Sequence, residues 1–456
     1  MTVIVRFAPS PTGRLHIGNI RTAILNWLFA KKQRGTFVLR IDDTDRERST
    51  EAFVDGIHDD LRWLGLSWAR EERQSTRLTR YREAADLLKK SGRLYPCYDT
   101  EEDLDRRRRL QRASGRPPIY DRTGLHLTAE ARRNLEAEGR RPHWRFLLAN
   151  SDAPRSFEPV PTLVTWIDLV RGDQGIDVGS QSDPVLVRED GTFLYAFTSV
   201  VDDIDFAITH VIRGEDHVTN TALQIQLFEA LGAAPPTFAH VSLLVDADGQ
   251  ALSKRAGSLP LADLRAAGIE PIAAVAFAAL IGTSHAVEPH TSLDALAKLF
   301  DFAKLSRTPA RFDIAELKTL NGRLLQTLTY EAVAARLAEA GIGGGAAFWH
   351  AVRGNVTVLA EARSWWTVVV GPIEPTVEDE AFCKQAAALL PPEPWNEHTW
   401  TIWTNAIKAA TGRKGRQLFH PLRLALTGRD QGPELKALMP SIGRDRSAGR
   451  LLGRKT

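Results

Sequence analysis

The sequence predicts an α/β protein in three parts: a parallel-sheet domain, an α+β segment inserted into it, and an all-helical carboxyl-terminal third. Three observations carry this. Apolar runs at residues 3–7 and 36–41 flank a stretch in which Ile20, Ala23, Ile24, Trp27 and Leu28 recur at helical spacing, the βαβ pattern that builds parallel sheets. After Tyr95-Pro96-Cys97-Tyr98 the texture turns charged and arginine-rich, and the apolar runs of the first domain return only at Phe193. From Asp313 onward the apolar spacing is helical and no comparable strand pattern appears.

The segment Arg6-Phe7-Ala8-Pro9-Ser10-Pro11-Thr12-Gly13-Arg14-Leu15-His16-Ile17-Gly18-Asn19 reads as a strand end, a tight Pro/Gly loop and a helix start. The first turn of that helix offers unpaired backbone N–H groups and a positive dipole end to an anion. Gly18 lets a flat base or sugar approach the backbone, and His16 can bond a phosphate oxygen. Taken alone, His-x-Gly equally describes a strand-to-helix connection with a surface histidine. Alternating segments such as Trp144-Arg145-Phe146-Leu147 and Leu163-Val164-Thr165-Trp166 place strands in the insert. Residues 206–212 read as a strand whose carboxyl end delivers Arg213 to the crevice where open α/β sheets bind ligands. That arginine could instead pair with nearby acids of its own chain: Asp202, Asp203, Asp205, Glu215 and Asp216 all lie close in sequence. Leu243-Leu244-Val245 runs into an Asp-Gly turn and then Ala251-Leu252-Ser253-Lys254-Arg255-Ala256-Gly257, a loop that offers Lys254, with Ser253 and Arg255 beside it, to a triphosphate. In the last third Thr329 caps a helix carrying Val333 and Leu337, residues 378–390 are halted by Pro391-Pro392, and residues 399–411 end at Gly412.

At 456 residues the chain exceeds a single core, and several domains are expected. No apolar run approaches membrane-spanning length, so a cytoplasmic protein with no membrane partner is expected. Cys97 and Cys383 are the only cysteines and lie far apart, which disfavours a disulfide framework. The net charge of +3 is small, but residues 413–456 hold eleven Lys/Arg against three Asp/Glu, a cluster suited to a phosphate backbone. The run Arg106 to Arg109, by itself, reads as a solvated helix face, and Trp63, Trp68, Trp365 and Trp366 as core. The turn Asp43-Thr44-Asp45-Arg46-Glu47 is expected to cap the next helix through Thr44 or Asp45.

Together the two distant loops resemble those of class I aminoacyl-tRNA synthetases. Within that class the chain resembles the bacterial glutamyl-tRNA synthetase family over nearly its whole length, through Arg6-Phe7-Ala8-Pro9-Ser10-Pro11-Thr12-Gly13, Arg40-Ile41-Asp42-Asp43-Thr44-Asp45-Arg46, Tyr195 to Asp203, and Val211-Ile212-Arg213-Gly214-Glu215-Asp216. The resemblance implies a Rossmann-type catalytic domain (residues 1–96 and 189–240), an inserted acceptor-stem-binding domain (97–188), a nucleotide-loop and stem-contact region (241–312) and a helical anticodon-binding domain (313–456). It implies ATP-dependent ligation of L-glutamate to tRNA through a glutamyl-adenylate, on glutamate tRNA with mischarging of glutamine tRNA left open, with Mg2+ accompanying the triphosphate, in a monomer. By resemblance, Arg6, Ala8, Ser10, Asp42, Tyr195, Ser199 and Arg213 bind glutamate; His16, Gly18, Asn19, Asp216, Leu244, Ser253, Lys254 and Arg255 bind ATP; and His16 with Lys254 serve catalysis. Some of the family carry zinc in the insert, near where Cys97 falls; no partner cysteines follow here, so no metal is expected. Three positions depart from the family: Asp42 and Ser199 shorten a glutamate and an asparagine, and Ala251 replaces a lysine. A compact nucleotidyltransferase acting on a non-RNA acid would leave the insert and tail without a purpose. A catalytically silent tRNA-binding paralogue would have no need of His16, Gly18 and Lys254.

Overall fold

The computed structural model describes residues 2–151, 160–246, 248–250, 252 and 259–456. The chain divides into two contact units, Met1–Ala262 with Ala278–Val287 and Ser292–Phe312, and Asp263–Phe277 with Glu288–Thr291 and Asp313–Thr456.

In the first unit, strand Ile4–Phe7 pairs in parallel with Thr36–Ile41, which pairs in parallel with Arg70–Arg73. Helix Ile17–Lys32 makes the first crossover and buries Ile20, Ala23, Ile24, Trp27 and Leu28, as their spacing requires. On the other edge, Thr209 bonds Ile4 through both its N–H and its hydroxyl, so strand His210–Gly214 starts beside the start of Ile4–Phe7. It pairs in parallel with Thr237–Val241, placing Arg213 opposite His240. Strand order therefore reverses between Ile4–Phe7 and His210–Gly214, and the crevice at such a reversal is where open parallel sheets bind ligands.

The structure differs from the sequence reading at three places. The strand that carries Arg213 starts at His210 rather than Phe206, because Phe206 donates to the Asp202 carbonyl to close helix Tyr195–Asp205 and Ala207 then turns through φ 52°. The hairpin Leu163–Asp168 and Gly172–Asp177, which falls within 97–188, extends the large sheet: Asp168 pairs with Phe238. The antiparallel sheet of His143–Phe146 and Val185–Val187, joined by Leu94–Cys97 from just before the insert, lies there with helices Glu101–Ala113, Thr123–His126 and Ala129–Ala137. Finally, helix Glu51–Trp63 is capped by Thr50, not by Thr44 or Asp45; Asp43 accepts from Ser75 and Asp45 pairs with Arg48.

Within the insert the Cys97 thiol bonds Asp99 and shares a contact with the Tyr120 hydroxyl, while Arg107 pairs with Asp99 and Asp121. Arg106 and Arg108 pair along their own helix with Asp103 and Asp105. Cys97 and Cys383 are buried free thiols. Trp365 is buried beneath Arg429, whereas Trp63, Trp68 and Trp366 are half-buried, and Trp68 stacks on His58.

From Asp313 the second unit is helical. Helix Leu435–Ile442 sends Leu438 and Ile442 into a cluster around Phe348 and Trp349, and Leu435 and Met439 into another around Trp403 and Leu418, so one helix ties two apolar cores together. Helix Thr399–Thr411 ends at Gly412 in the left-handed region, φ 71°. Part of the basic cluster in 413–456 is structural: Arg450 is fully buried on the Leu426 carbonyl and Arg413 pairs with Asp379. Lys414, Arg416, Lys436 and Arg454 are exposed. No helix among the described residues is long and apolar enough to cross a membrane.

Candidate active site

A cavity of about 610 Å³ opens at the carboxyl ends of the central strands of the first unit. Arg6, Ala8, Ser10, His16, Gly18 and Asn19 line it from the first loop and helix start. Tyr195, Arg213, Asp216 and Leu244 complete it from the returning half of the domain. Two segments separated by some two hundred residues thus meet over one space because they leave neighbouring strands at the point of reversal.

His16 sits at the N-cap of helix Ile17–Lys32, and its Nδ1 accepts the Gly18 N–H at 3.2 Å. Nε2 therefore carries the ring hydrogen. Burial lowers the pKa of His16, so the group offered to the cavity is a neutral N–H donor. Gly18 keeps this arrangement open, since a Cβ there would stand 3.1 Å from the His16 ring.

The two cavity arginines differ in kind. Arg6 is buried and pairs with Asp203 at 3.1 Å. Arg213 is equally buried, yet its partners are neutral: His240 Nε2 at 3.1 Å, Gln224 Oε1 at 2.6 Å, Thr221 Oγ1 at 2.7 Å and the His217 carbonyl. Among the described residues it forms no ion pair: of the acids close to it in sequence, Asp203 goes to Arg6 and Glu215 to Arg171, and Asp216, on the cavity wall, lies 3.9 Å from His217. Burial lowers its pKa, partly offset by the Tyr195 hydroxyl. A guanidinium held this way is a fork of donors awaiting an anion.

Asp42 and Ser199 lie behind the cavity wall. Arg40, fully buried, donates to both Asp42 oxygens at 2.7 and 3.1 Å, to Ser199 Oγ at 3.1 Å and to Asp203 at 2.9 Å. The two shortened side chains meet on the same guanidinium, and the Asp42 N–H holds the Pro9 carbonyl of the first loop. Burial pushes the Asp42 carboxyl up to about 6 against the pull of Arg40. The folded protein then binds this proton more tightly than the unfolded chain, so Asp42's contribution to stability falls as pH rises from about 4 to about 6. Asp42→Asn is expected to flatten that slope by roughly 2–3 kcal/mol, measured by denaturant unfolding of both proteins across the window.

Ser253, Lys254 and Arg255 lie outside the described residues. The chain on either side is anchored at the cavity: Leu252 lines it, Pro260 bridges to His16, and Leu261 donates to the Leu15 carbonyl. Four further residues shape the site that the sequence reading gave no role, although Arg40 opens one of the family motifs. Arg21 donates to the Ser242 and Ile281 carbonyls, fixing the chain beside the cavity, and Arg40, Asp168 and His240 act through other side chains. For Arg21 the available hint was a charged residue at a helical position that should face the core, and Arg40 had in addition its place at the head of a family motif.

Comparison with known proteins agrees with this geometry. The family described as tRNA synthetases class I (E and Q), catalytic domain, matches residues 2–319, and an anticodon binding domain matches residues 376–453. The chain is 54% identical to glutamate–tRNA ligase 1 of Maricaulis maris (strain MCS10) over 98% of its own length and 99% of that protein. It is 56% identical to glutamate–tRNA ligase 2 of Beijerinckia indica subsp. indica over 99% and 98%. Among solved structures it superposes on a glutamate tRNA ligase from Elizabethkingia meningosepticum CCUG26117, crystallised in complex with its amino acid, with TM-score 0.84 at 27% identity, covering 99% and 98% of the two chains. A parallel sheet that reverses at the cavity, a histidine-capped helix start, a helical last third and full-length relatives all lead to one conclusion: the chain belongs to the class I tRNA synthetases of the E and Q family.

Proposed function

We infer that this protein is an ATP-dependent glutamate–tRNA ligase. The observation that carries the reading is Arg213, a buried guanidinium on neutral partners in the same cavity as the His16 helix start. Such a cation suits the side-chain carboxylate of glutamate, and Arg6 and Tyr195 stand beside it to complete that end of the amino acid. Asp42, with Ser199 behind the wall on Arg40, is assigned to the ammonium end, reached through water.

The glutamate α-carboxylate attacks the α-phosphorus of ATP, forming glutamyl-adenylate and releasing pyrophosphate. A terminal ribose hydroxyl of tRNA then attacks the acyl carbon and releases AMP. Neither step needs a covalent intermediate with the protein, so donors and glycines rather than a nucleophile with a base are what the site requires. The neutral His16 N–H and the helix N-terminus face the phosphates, with Gly18, Asn19, Asp216 and Leu244 around the nucleotide. Ser253, Lys254 and Arg255 are assigned to the triphosphate and the departing pyrophosphate, with Mg2+ on the phosphates. Lys254 is two residues from Leu252, which supports that assignment.

The match to an anticodon binding domain and the exposed Lys414, Arg416, Lys436 and Arg454 support tRNA as partner. Neither a compact nucleotidyltransferase nor a silent paralogue draws support from relatives matched end to end. The protein is further proposed to act as a cytoplasmic monomer, a setting in keeping with two free thiols. Glutamate-dependent exchange of pyrophosphate into ATP, with tRNA present, tests the activation step. Acylation of purified glutamate and glutamine tRNAs side by side tests the partner: charging of the glutamate tRNA is expected, and strong charging of the glutamine tRNA alone would overturn that assignment.

A further inference from the structure

We propose that Asp168 and His240 are positioning residues that fix Arg213 through a neutral acceptor, so that its charge is left for the side-chain carboxylate of the amino acid. This rests on the reading of Arg213 given above. His240 is fully buried on strand Thr237–Val241, directly opposite Arg213 in the parallel register. Its Nδ1 lies 2.6 Å from the carboxylate of Asp168, also fully buried. Asp168 is itself held by the backbone N–H groups of Val170, Arg171 and His240. Nδ1 therefore carries the hydrogen, and the lone pair of Nε2 faces Arg213 Nε at 3.1 Å and Thr221 Oγ1 at 3.0 Å. Phe238 stacks on the imidazole and Trp166 meets its edge, locking the ring plane. Burial lowers the His240 pKa against the pull of Asp168, and the neighbouring guanidinium lowers it further, in keeping with an Nε2 that accepts from Arg213.

The consequence is selectivity. A carboxylate placed directly on Arg213 would form an internal ion pair, and the cavity would then present a compensated group to which a side-chain amide binds as well as a carboxylate. Interposing the imidazole keeps Asp168 one side chain away. The anion fixes the tautomer, the tautomer fixes the guanidinium, and the positive charge stays open.

The test uses the full-length protein, with tRNA present, and pyrophosphate exchange driven by glutamate or by glutamine. His240→Glu is expected to raise the KM for glutamate at least about tenfold and to shrink the glutamate-over-glutamine ratio of kcat/KM by about 100-fold, with the KM for ATP within about twofold. His240→Gln, whose amide oxygen is a neutral acceptor, is expected to keep that ratio within about threefold of wild type. Should His240→Glu not fold, Asp168→Asn serves: it frees the tautomer and is expected to raise the glutamate KM about tenfold without moving that for ATP. A folded His240→Glu protein with the wild-type ratio, or variants in which glutamate and ATP parameters decline together, would overturn the role of the pair. Absence of glutamate-dependent exchange in the wild-type protein would instead remove the underlying reading of Arg213.

Discussion

Arg213→Gln is expected to lower kcat/KM for glutamate by about 10² to 10³-fold while leaving the melting temperature unchanged or slightly raised. Both halves follow from its partners. Four neutral groups orient the guanidinium, and no carboxylate among the described residues neutralises it. Losing one member of a buried charge pair costs roughly 2–5 kcal/mol of binding, and each 1.4 kcal/mol is about tenfold. In the protein without substrate the same cation is a burden on folding, because it is desolvated without an opposing charge. Removing it relieves that burden, while glutamine can still donate to one of Gln224, Thr221 or His240. Arg213→Lys is expected to fall close to Arg213→Gln, since one ammonium cannot reach three acceptors and a ligand at once. Glutamate-dependent exchange kinetics and a thermal melt on the same preparations check both effects. Unaltered kinetics would remove Arg213 from the substrate, and a large loss of stability would make it a structural cation.

The sequence made the frame legible where local rules and tertiary packing agree. The helix after His16 declares itself because its apolar period and the Pro/Gly loop before it point to the same start; that His16 caps it came only from the structure. The span Thr399–Thr411 does so because Gly412 takes the positive φ that ends it. Arg6, Tyr195 and Arg213 could be named through the motifs that carry the family resemblance, and Arg6 and Arg213 also stand near the ends of apolar strand runs. What surrounds them could not. His240 looks like one residue of a buried strand, and Asp168 like the end of an edge hairpin; only the pairing of that hairpin with Thr237–Val241 brings the two together. The acids nearest Arg213 in sequence were natural candidates to quench it. Asp202, Asp203, Asp205 and Glu215 lie on a helix and a turn that direct them to Arg6, Arg77, Arg80 and Arg171 instead, while Asp216 lies 3.9 Å from His217. Sequence distance could not tell which acid finds which arginine, and that choice separates a guanidinium held on neutral groups from one held in an ion pair.

Arg40 supplies the opposite case, and Arg40→Met is expected to destabilise the first unit by roughly 3–5 kcal/mol near neutral pH. This fully buried guanidinium contacts Asp42, Asp203 and, at 3.6 Å, Asp202. Burial opposes its charge, yet Asp42 and Asp203 hold its pKa well above the ordinary value. Asp202 keeps Gln74, Arg77 and Tyr81, and Asp203 keeps Arg6. Among the described residues Asp42 has no second cation of comparable contact, so without Arg40 its carboxylate is left buried and unpaired by any of them. The carboxyl groups of the variant must then take up protons on folding more readily than those of the wild type. Folded pKa values that rise add stability as pH falls, so the deficit of Arg40→Met should shrink between about pH 7 and pH 5. Asp42→Asn in the same chain should recover part of it at pH 7, because it removes the stranded charge. A fall in melting temperature of about 10 °C is the expected size for a unit of this length. Since Ser199 Oγ and Arg6, through Asp203, depend on the same guanidinium, glutamate KM should rise as well. A melt within about 2 °C of wild type at neutral pH would show that the three carboxylates are compensated by other means.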